Sequence, residues 1–308
     1  MSRTTRLVGY LCALGAGATW GTTGPLSTAL YREGQAITGI GFWRLLLGTA
    51  ALAAWALAFR RDLFRVDRQG ILLMGLLGGF LVALFEVAYQ FGIAGAGVAG
   101  AAALLYTAPV MVALVAKPLL GERLTPLRFG LAVAVMIGAA MTVMGKTESG
   151  GGGAGSVALP SVLAGVVGGL LSAVSYATTT VLARWAVPRY GQFRMLFWEA
   201  IGGVVLLAII LPLSGHTPHP PPTTAGWIYA VALAVGGVIL ANLLFFTAVR
   251  RIEATPTAVA ATIEPVVGAL LALLLFSQQL TWIGWVGLLM VVGGVAAGYL
   301  KEGSAEPA

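Results

Sequence analysis

One stretch of this chain occurs twice. Residues 99–129 return at 255–285, so that Pro109-Val110 answers Pro265-Val266 and Leu124-Thr125 answers Leu280-Thr281. The same spacing pairs Trp20 with Tyr176, Thr23 with Thr179 and Tyr89 with Phe245. A one-residue slip then sets Phe42-Trp43-Arg44 against Phe197-Trp198-Glu199. A register kept over so much chain is an internal duplication, and it binds the fold to two copies of one unit.

Each copy is too apolar for water. Of 308 residues, 58% are hydrophobic and 9% charged, where a soluble chain carries about 25% charged residues. Ten apolar segments can be drawn, near 7–29, 36–59, 70–92, 96–119, 127–145, 160–184, 193–213, 225–248, 255–276 and 282–300. A membrane-crossing helix needs roughly 20 such residues. Five segments per half is an odd number, so the second copy enters the membrane from the opposite side. The expected fold is all-α and integral to the membrane, with ten transmembrane helices as two inverted-topology five-helix repeats. The first repeat covers 1–145 and the second 160–301. Between them lies a Gly-rich extracellular linker, 146–159, and a cytoplasmic tail covers 302–308. Two inverted copies of one shape can exchange their tilts and open to either side. Many secondary transporters are built so, with the substrate site near the midplane between the repeats.

Charge sets the orientation. With both termini in the cytoplasm, Arg3, Arg6, Arg60, Arg61, Arg65, Arg68, Lys117, Arg123, Arg128, Arg184, Arg189, Arg194, Arg250, Arg251 and Lys301 all lie inside. Only Arg32 and Lys146 fall outside, as the positive-inside rule asks. The net charge of +7 thus belongs to loops, not to a nucleic-acid surface. The first segment has the charged start and the Ala16-Gly17-Ala18 site of a signal peptide, but it runs on past that site, and its mate lies mid-chain. It is expected to stay as a helix. A lone Cys12 forms no internal disulfide. His216 and His219 sit in a proline-rich loop and read as solvated residues, not metal ligands. Ala140 to Thr147 approaches a phosphate-binding loop but lacks its first glycine and ends a membrane helix. No metal or cofactor is expected, and with no histidine inside the apolar segments the chain does not read as an enzyme.

The chemistry rests on few groups. Arg44, Glu86, Glu199 and Glu264 fall inside apolar segments, where charged side chains face the bundle interior or a wet cavity. At roughly 1.5 Å per residue, Arg44 and Glu86 lie about 12 Å and about 9 Å below the outer surface, so they share a depth. They are placed to pair, and serve either as an outer-side substrate contact or gate or as a structural ion pair. Glu199 lies nearer the cytoplasmic end, within reach of Arg194. Glu264 precedes Pro265 near the middle of its segment; it binds a substrate cation, carries a proton, or fixes packing. Pro109 and Pro265 lack the N–H of a helix rung and are expected to kink their helices. Trp20, Tyr89, Tyr106, Tyr176, Trp198 and Phe246, with polar Gln90, Thr179 and Asn242, are candidates to line a cavity and stack a flat or cationic solute; the alternative for each is plain packing. Gly75-x-x-Gly78-Gly79 and Gly165-x-x-Gly168-Gly169 let helix backbones approach closely.

Glu264-Pro265-Val266 with Leu280-Thr281, Ala108-Pro109-Val110 with Gly121-Glu122-Arg123-Leu124-Thr125, and Ala18-Thr19-Trp20-Gly21 resemble the drug/metabolite transporter superfamily, EamA type. Two departures stand out: Ala108 replaces the acid of the first copy, and Ser277-Gln278 replaces Gly-Glu in the second. With its aromatic residues the chain is similar to bacterial aromatic amino-acid exporters of the YddG type. The resemblance implies a secondary, alternating-access carrier in the bacterial inner membrane. Its partners would be lipid and a small-molecule substrate, with amino acids, aromatic ones in particular, moving outward. Nucleotide sugars, drugs or a lipid flippase or scramblase activity are the alternatives. Oligomeric state stays open; a monomer suffices for such a site.

Overall fold

The computed structural model describes residues 3–122, 125–144, 159–276 and 279–304. Residues 146–158 of the expected linker and the last residues of the tail fall outside them. The described chain is helical: α1 Arg3–Gly21, α2 Thr23–Arg32, α3 Ile37–Phe59, α4 over 68–105, α5 Ala108–Leu120, α6 Pro126–Met144, α7 Leu159–Tyr190, α8 Gln192–Leu213, α9 over Thr224–Arg251, α10 Ala254–Ala261, α11 Glu264–Phe276 and α12 Trp282–Ser304. Two of them wind as π-helix, α4 over Ile71–Gly78 and α9 over Ala234–Leu240. Among the described residues, eight helical stretches are long and apolar enough to cross a membrane. Segment 127–145 gives a shorter apolar helix, Pro126–Thr142. Segment 7–29 is cut at Thr22 into α1 and α2.

The cuts follow proline. Pro25, Pro109 and Pro265 cannot donate to the carbonyls of Gly21, Leu105 and Ala261, four residues back, and their rings crowd those carbonyls. The helix gives way just ahead of each proline, at Thr22, at Tyr106-Thr107 and at Thr262-Ile263. Pro109 and Pro265 therefore stand in the first turn of a new helix, where a missing N–H does no harm, and the expected kinks are full breaks. Threonine hydroxyls take up carbonyls beside the breaks: Thr23 Oγ1 donates to Trp20 O at 2.6 Å, Thr107 Oγ1 to Leu104 O at 2.7 Å, and Thr262 Oγ1 to Ala258 O at 2.8 Å.

Helix α4 folds back upon itself. A Cβ placed on Gly92 would stand 3.2 Å from that of Ala101, whereas nine residues of straight helix span about 13.5 Å. Both limbs lie on α7, where bare glycines admit them. A Cβ on Gly168 would meet the carbonyl of Ala88 at 2.5 Å, and one on Gly169 would meet Leu104 at 2.6 Å.

Glycines also set the crossing of α4 with α8. A Cβ on Gly202 would fall 1.9 Å from the carbonyl oxygen of Gly75, and one on Gly79 would fall 2.5 Å from Gly202 Cα. The largest buried cluster runs along this crossing through Leu63, Met74, Leu182, Met195, Phe197, Phe245 and Phe246. It joins residues from before and after the linker. We predict that Gly202→Val lowers the unfolding midpoint in detergent sharply, because the obstructing atoms are backbone and overpacking costs about 1–3 kcal/mol even where side chains can shift. Gly293→Ala, which meets nothing within 4 Å, should leave the midpoint level or slightly higher. Equal midpoints for the two variants would contradict the close crossing.

Candidate functional site

The breaks in α4/α5 and in α10/α11 face each other. Between them is a cavity of about 30 Å³ lined by Leu105, Tyr106, Ala108, Pro109, Tyr176, Ala261, Thr262 and Glu264. That is room for a water or two, far short of the roughly 300–1,000 Å³ of pockets that hold small solutes. The lining is made of matched positions from the duplication, Leu105 with Ala261, Tyr106 with Thr262, Ala108 with Glu264. Leu105 and Ala261 are the residues whose carbonyls the prolines leave without a helical partner.

Helix α1 covers the second break with bare backbone. A Cβ on Gly17 would sit 2.2 Å from the Ala261 carbonyl oxygen, and one on Gly21 would sit 2.8 Å from that of Glu264. Glu264 opens α11, where the positive end of the helix dipole favours a carboxylate. The phenols of Tyr89, Tyr106 and Tyr176 all lie within electrostatic reach of it. Glu264, Tyr106 and Tyr176 thus share the cavity wall, with Tyr89 within electrostatic reach.

Trp20 and Tyr176, matched residues of the two copies, meet edge to face with ring centroids 6.1 Å apart, and Phe245 closes the trio at 5.3 and 5.6 Å. The Trp20 indole donates to Gly237 O at 3.1 Å, a carbonyl of the π-wound turn. Asn242 serves the same turn, donating to Val238 O at 2.8 Å and to Gly237 O at 3.3 Å. Tyr89 stacks on Phe85. Thr179 is half-buried one turn beyond Tyr176, and the side chain of Gln90 lies outside the described set.

Of the described candidates for substrate contact, Tyr106, Tyr176 and Glu264 line the cavity, and the others, Trp198 and Phe246 among them, do not. Phe246 is 1% exposed in the large core cluster. Trp198 donates its indole N–H to Leu63 O at 3.1 Å, beside the short turn Arg61–Phe64. Glu199 has no bond to Arg194, which holds Asp62 instead, through the backbone oxygen at 2.9 Å and the carboxylate at 3.2 Å. Arg60 hydrogen-bonds the same carboxyl and holds it below the ordinary carboxylate range.

Arg44 and Glu86 form their ion pair, with side-chain exposures of 21% and 11%. Gly41 leaves the room for it, since a Cβ there would come 2.5 Å from the Glu86 carboxylate.

One residue lay in a motif without a role. Glu122, 8% exposed, accepts from the Ala254 N–H at 2.7 Å, the Thr255 N–H at 3.3 Å and the Thr255 hydroxyl at 3.2 Å. It caps α10 across the duplication, and Arg128 pairs with Glu253 beside it. The signal was its place in Gly121-Glu122-Arg123; the partner, 132 residues away, could not be read from spacing. At the other end, Gln35 donates to His219 O at 2.7 Å, Trp43 to Pro218 O at 3.3 Å, and Thr223 to the Glu33 carboxylate at 2.6 Å. Contacts between the halves therefore flank the cavity on both sides.

The EamA-like transporter family model matches residues 7–144 and 163–299. The chain belongs to the EamA-like transporter family. Among curated relatives, the pseudopaline exporter of Pseudomonas aeruginosa is 30% identical over 282 residues, covering 89% of this chain and 92% of that one. An uncharacterised transporter of Archaeoglobus fulgidus is 26% identical over 274 residues, covering 88% and 90%. A solved crystal structure superposes with a TM-score of 0.79 over the whole of both chains at 21% identity, which supports the shared fold. The protein is a multi-pass membrane transporter of the drug/metabolite type.

We predict that Arg44→Ala and Glu86→Ala each destabilise the protein by about 2–4 kcal/mol, because each strands a largely buried charge. The double variant should lose less than the sum by about 1 kcal/mol or more. Additive losses in thermal unfolding would mean that the two charges do not act as a pair.

Proposed function

We propose that this transporter is a secondary carrier of ten membrane helices in two inverted five-helix halves, 1–145 and 160–301, joined by the linker 146–159. It exports amino acids, aromatic ones in particular, and related small metabolites across the bacterial inner membrane, with both termini and the 302–308 tail in the cytoplasm. The observation that carries this reading is the cavity itself. It lies between matched positions of the duplication, where a two-fold axis in the membrane plane would pass, and such an axis is where inverted-repeat carriers hold their solute. The eight long apolar stretches already count both limbs of the reversed α4, and adding α1 joined to α2 and the apolar α6 brings the crossings to ten. The family model matches in two ranges, 7–144 and 163–299, which supports a division into two halves.

The lining suits an amphipathic solute with an amino group. Glu264 supplies a counter-charge, the tyrosines supply phenols and ring faces, and Trp20 with Tyr176 and Phe245 forms an aromatic wall. Arg44 is tied to Glu86 and is thereby withheld from a phosphate-bearing cargo. The named activity of the Pseudomonas aeruginosa relative, pseudopaline export, favours outward movement of a small metabolite. In the closed state the cavity takes water only. Solute entry requires the contacts of Glu122 and Arg128 to part on one side, or those of Gln35, Trp43 and Thr223 on the other. Strict alternation between the two makes a carrier, not a channel.

The test is uptake of labelled tryptophan, phenylalanine and leucine by proteoliposomes. Saturable uptake that prefers the aromatic pair is expected. Glu264→Gln should raise KM for tryptophan by about tenfold or more, the loss of one charge-assisted contact of about 1.5–3 kcal/mol. Absence of flux for every amino acid, with sugars or phospholipids moving instead, would overturn the cargo assignment.

A further inference from the structure

Glu199 is an acid in an unusual place. It stands in α8, 3% exposed, about 10 Å along the helix from its cytoplasmic start at roughly 1.5 Å per residue. Its Oε2 is buried with no hydrogen-bond partner. A Cβ on Gly78 of α4 would touch Glu199 Cβ at 3.2 Å. The carboxyl thus lies at the close crossing of α4 with α8, one turn below the Gly75–Gly202 approach. That crossing joins the first half of the chain to the second.

The charged and titratable groups on the packed elements are engaged elsewhere. Arg44 of α3 pairs with Glu86 of α4. Arg184 of α7 donates to Val249 O at 2.6 Å and to Ile252 O at 3.1 Å, and Tyr190 of α7 donates to Asp67 at 2.8 Å. Tyr176 of α7 faces the Glu264 cavity. Arg194 of α8 and Arg60 hold Asp62, Arg251 of α9 donates to Thr247 O at 3.3 Å, and Arg250 is exposed. An isolated carboxylate cannot be held in such surroundings, and a buried acid without a counter-charge takes a proton instead.

The duplication sharpens this. Glu199 matches Arg44, and the partner of Arg44, Glu86, is matched by Asn242. The first half has a fixed ion pair where the second has an acid and an amide, and that amide donates to its own helix.

We propose that Glu199 is a proton-binding site through which transport is coupled to proton movement. The carboxyl holds one proton while the α4–α8 crossing is closed around it. When the halves shift so that water from one face reaches the crossing, the proton leaves to that face; when they shift the other way a proton enters from the opposite face, so that one proton crosses the membrane per cycle. This rests on the carrier reading above, and its test is chosen to stand apart from it.

The first measurement needs no solute. Infrared difference spectra of the purified protein in lipid at pH 7 should show the C=O stretch of a protonated carboxylic acid that Glu199→Gln lacks and Glu199→Asp displaces. The second uses labelled tryptophan in proteoliposomes with the membrane potential clamped at zero. One proton per solute makes a gradient of one pH unit sustain about tenfold accumulation in the wild type. Glu199→Gln should still exchange tryptophan, yet equilibrate it to a ratio near one. An infrared band that persists in Glu199→Gln overturns the proposal, and so does tryptophan uptake that ignores the gradient in the wild type or follows it equally in the variant. If no amino acid moves at all, the cargo reading falls while the infrared band alone still decides on Glu199.

Discussion

A helix that stops inside a membrane leaves polar backbone that hydrocarbon cannot satisfy, and the centre of this protein is arranged around that demand. Pro109 and Pro265 each end a helix at matched depths. Threonine hydroxyls take up carbonyls beside the breaks, and the glycines of α1 close over the Ala261 and Glu264 carbonyls at the second. Glu264 begins the new helix at the second break. A polar point is thereby built within an apolar bundle, from the two copies of one sequence.

Holding the breaks together requires close backbones on every side. Gly17 and Gly21 admit α1 to α10 and α11, Gly168 and Gly169 admit α4 to α7, and Gly75, Gly79 and Gly202 bring α4 onto α8. Backbone-to-backbone contacts of this kind draw on packing rather than on a hydrophobic drive, which lipid does not supply between helices. Firmer ties lie at the margins: Glu122 and Arg128 on one side of the cavity, Gln35, Trp43 and Thr223 on the other. In the proposed carrier, opening one set while keeping the other would be the physical content of alternation.

Much of this was legible in the sequence. The duplication, the apolar segments and the Arg44–Glu86 pair follow from repeat spacing, hydropathy and depth along a helix. What was not legible depends on distant partners or on local winding. Trp198 and Phe246 looked like cavity residues because aromatic type and helix position do not say which neighbour fills the space in front of the ring. Asn242 and Trp20 serve carbonyls of a π-wound turn, and no pattern announced that winding. Glu122 was visible as a motif letter, but its cap on α10 exists only once the halves meet. The prolines were expected to bend helices, whereas the helices break outright, with threonine hydroxyls taking up carbonyls beside the breaks.

The most direct test of the central claim is access to the cavity from each side. Cys12 is the only cysteine, so Cys12→Ser with Thr262→Cys places a single thiol at a buried lining position. A membrane-impermeant thiol reagent should reach it from the cytoplasmic face in inside-out vesicles and from the outer face in right-side-out vesicles. Bound tryptophan should slow both reactions. A thiol that reacts from one face only, whatever the solute, would contradict a cavity that opens to both sides in turn.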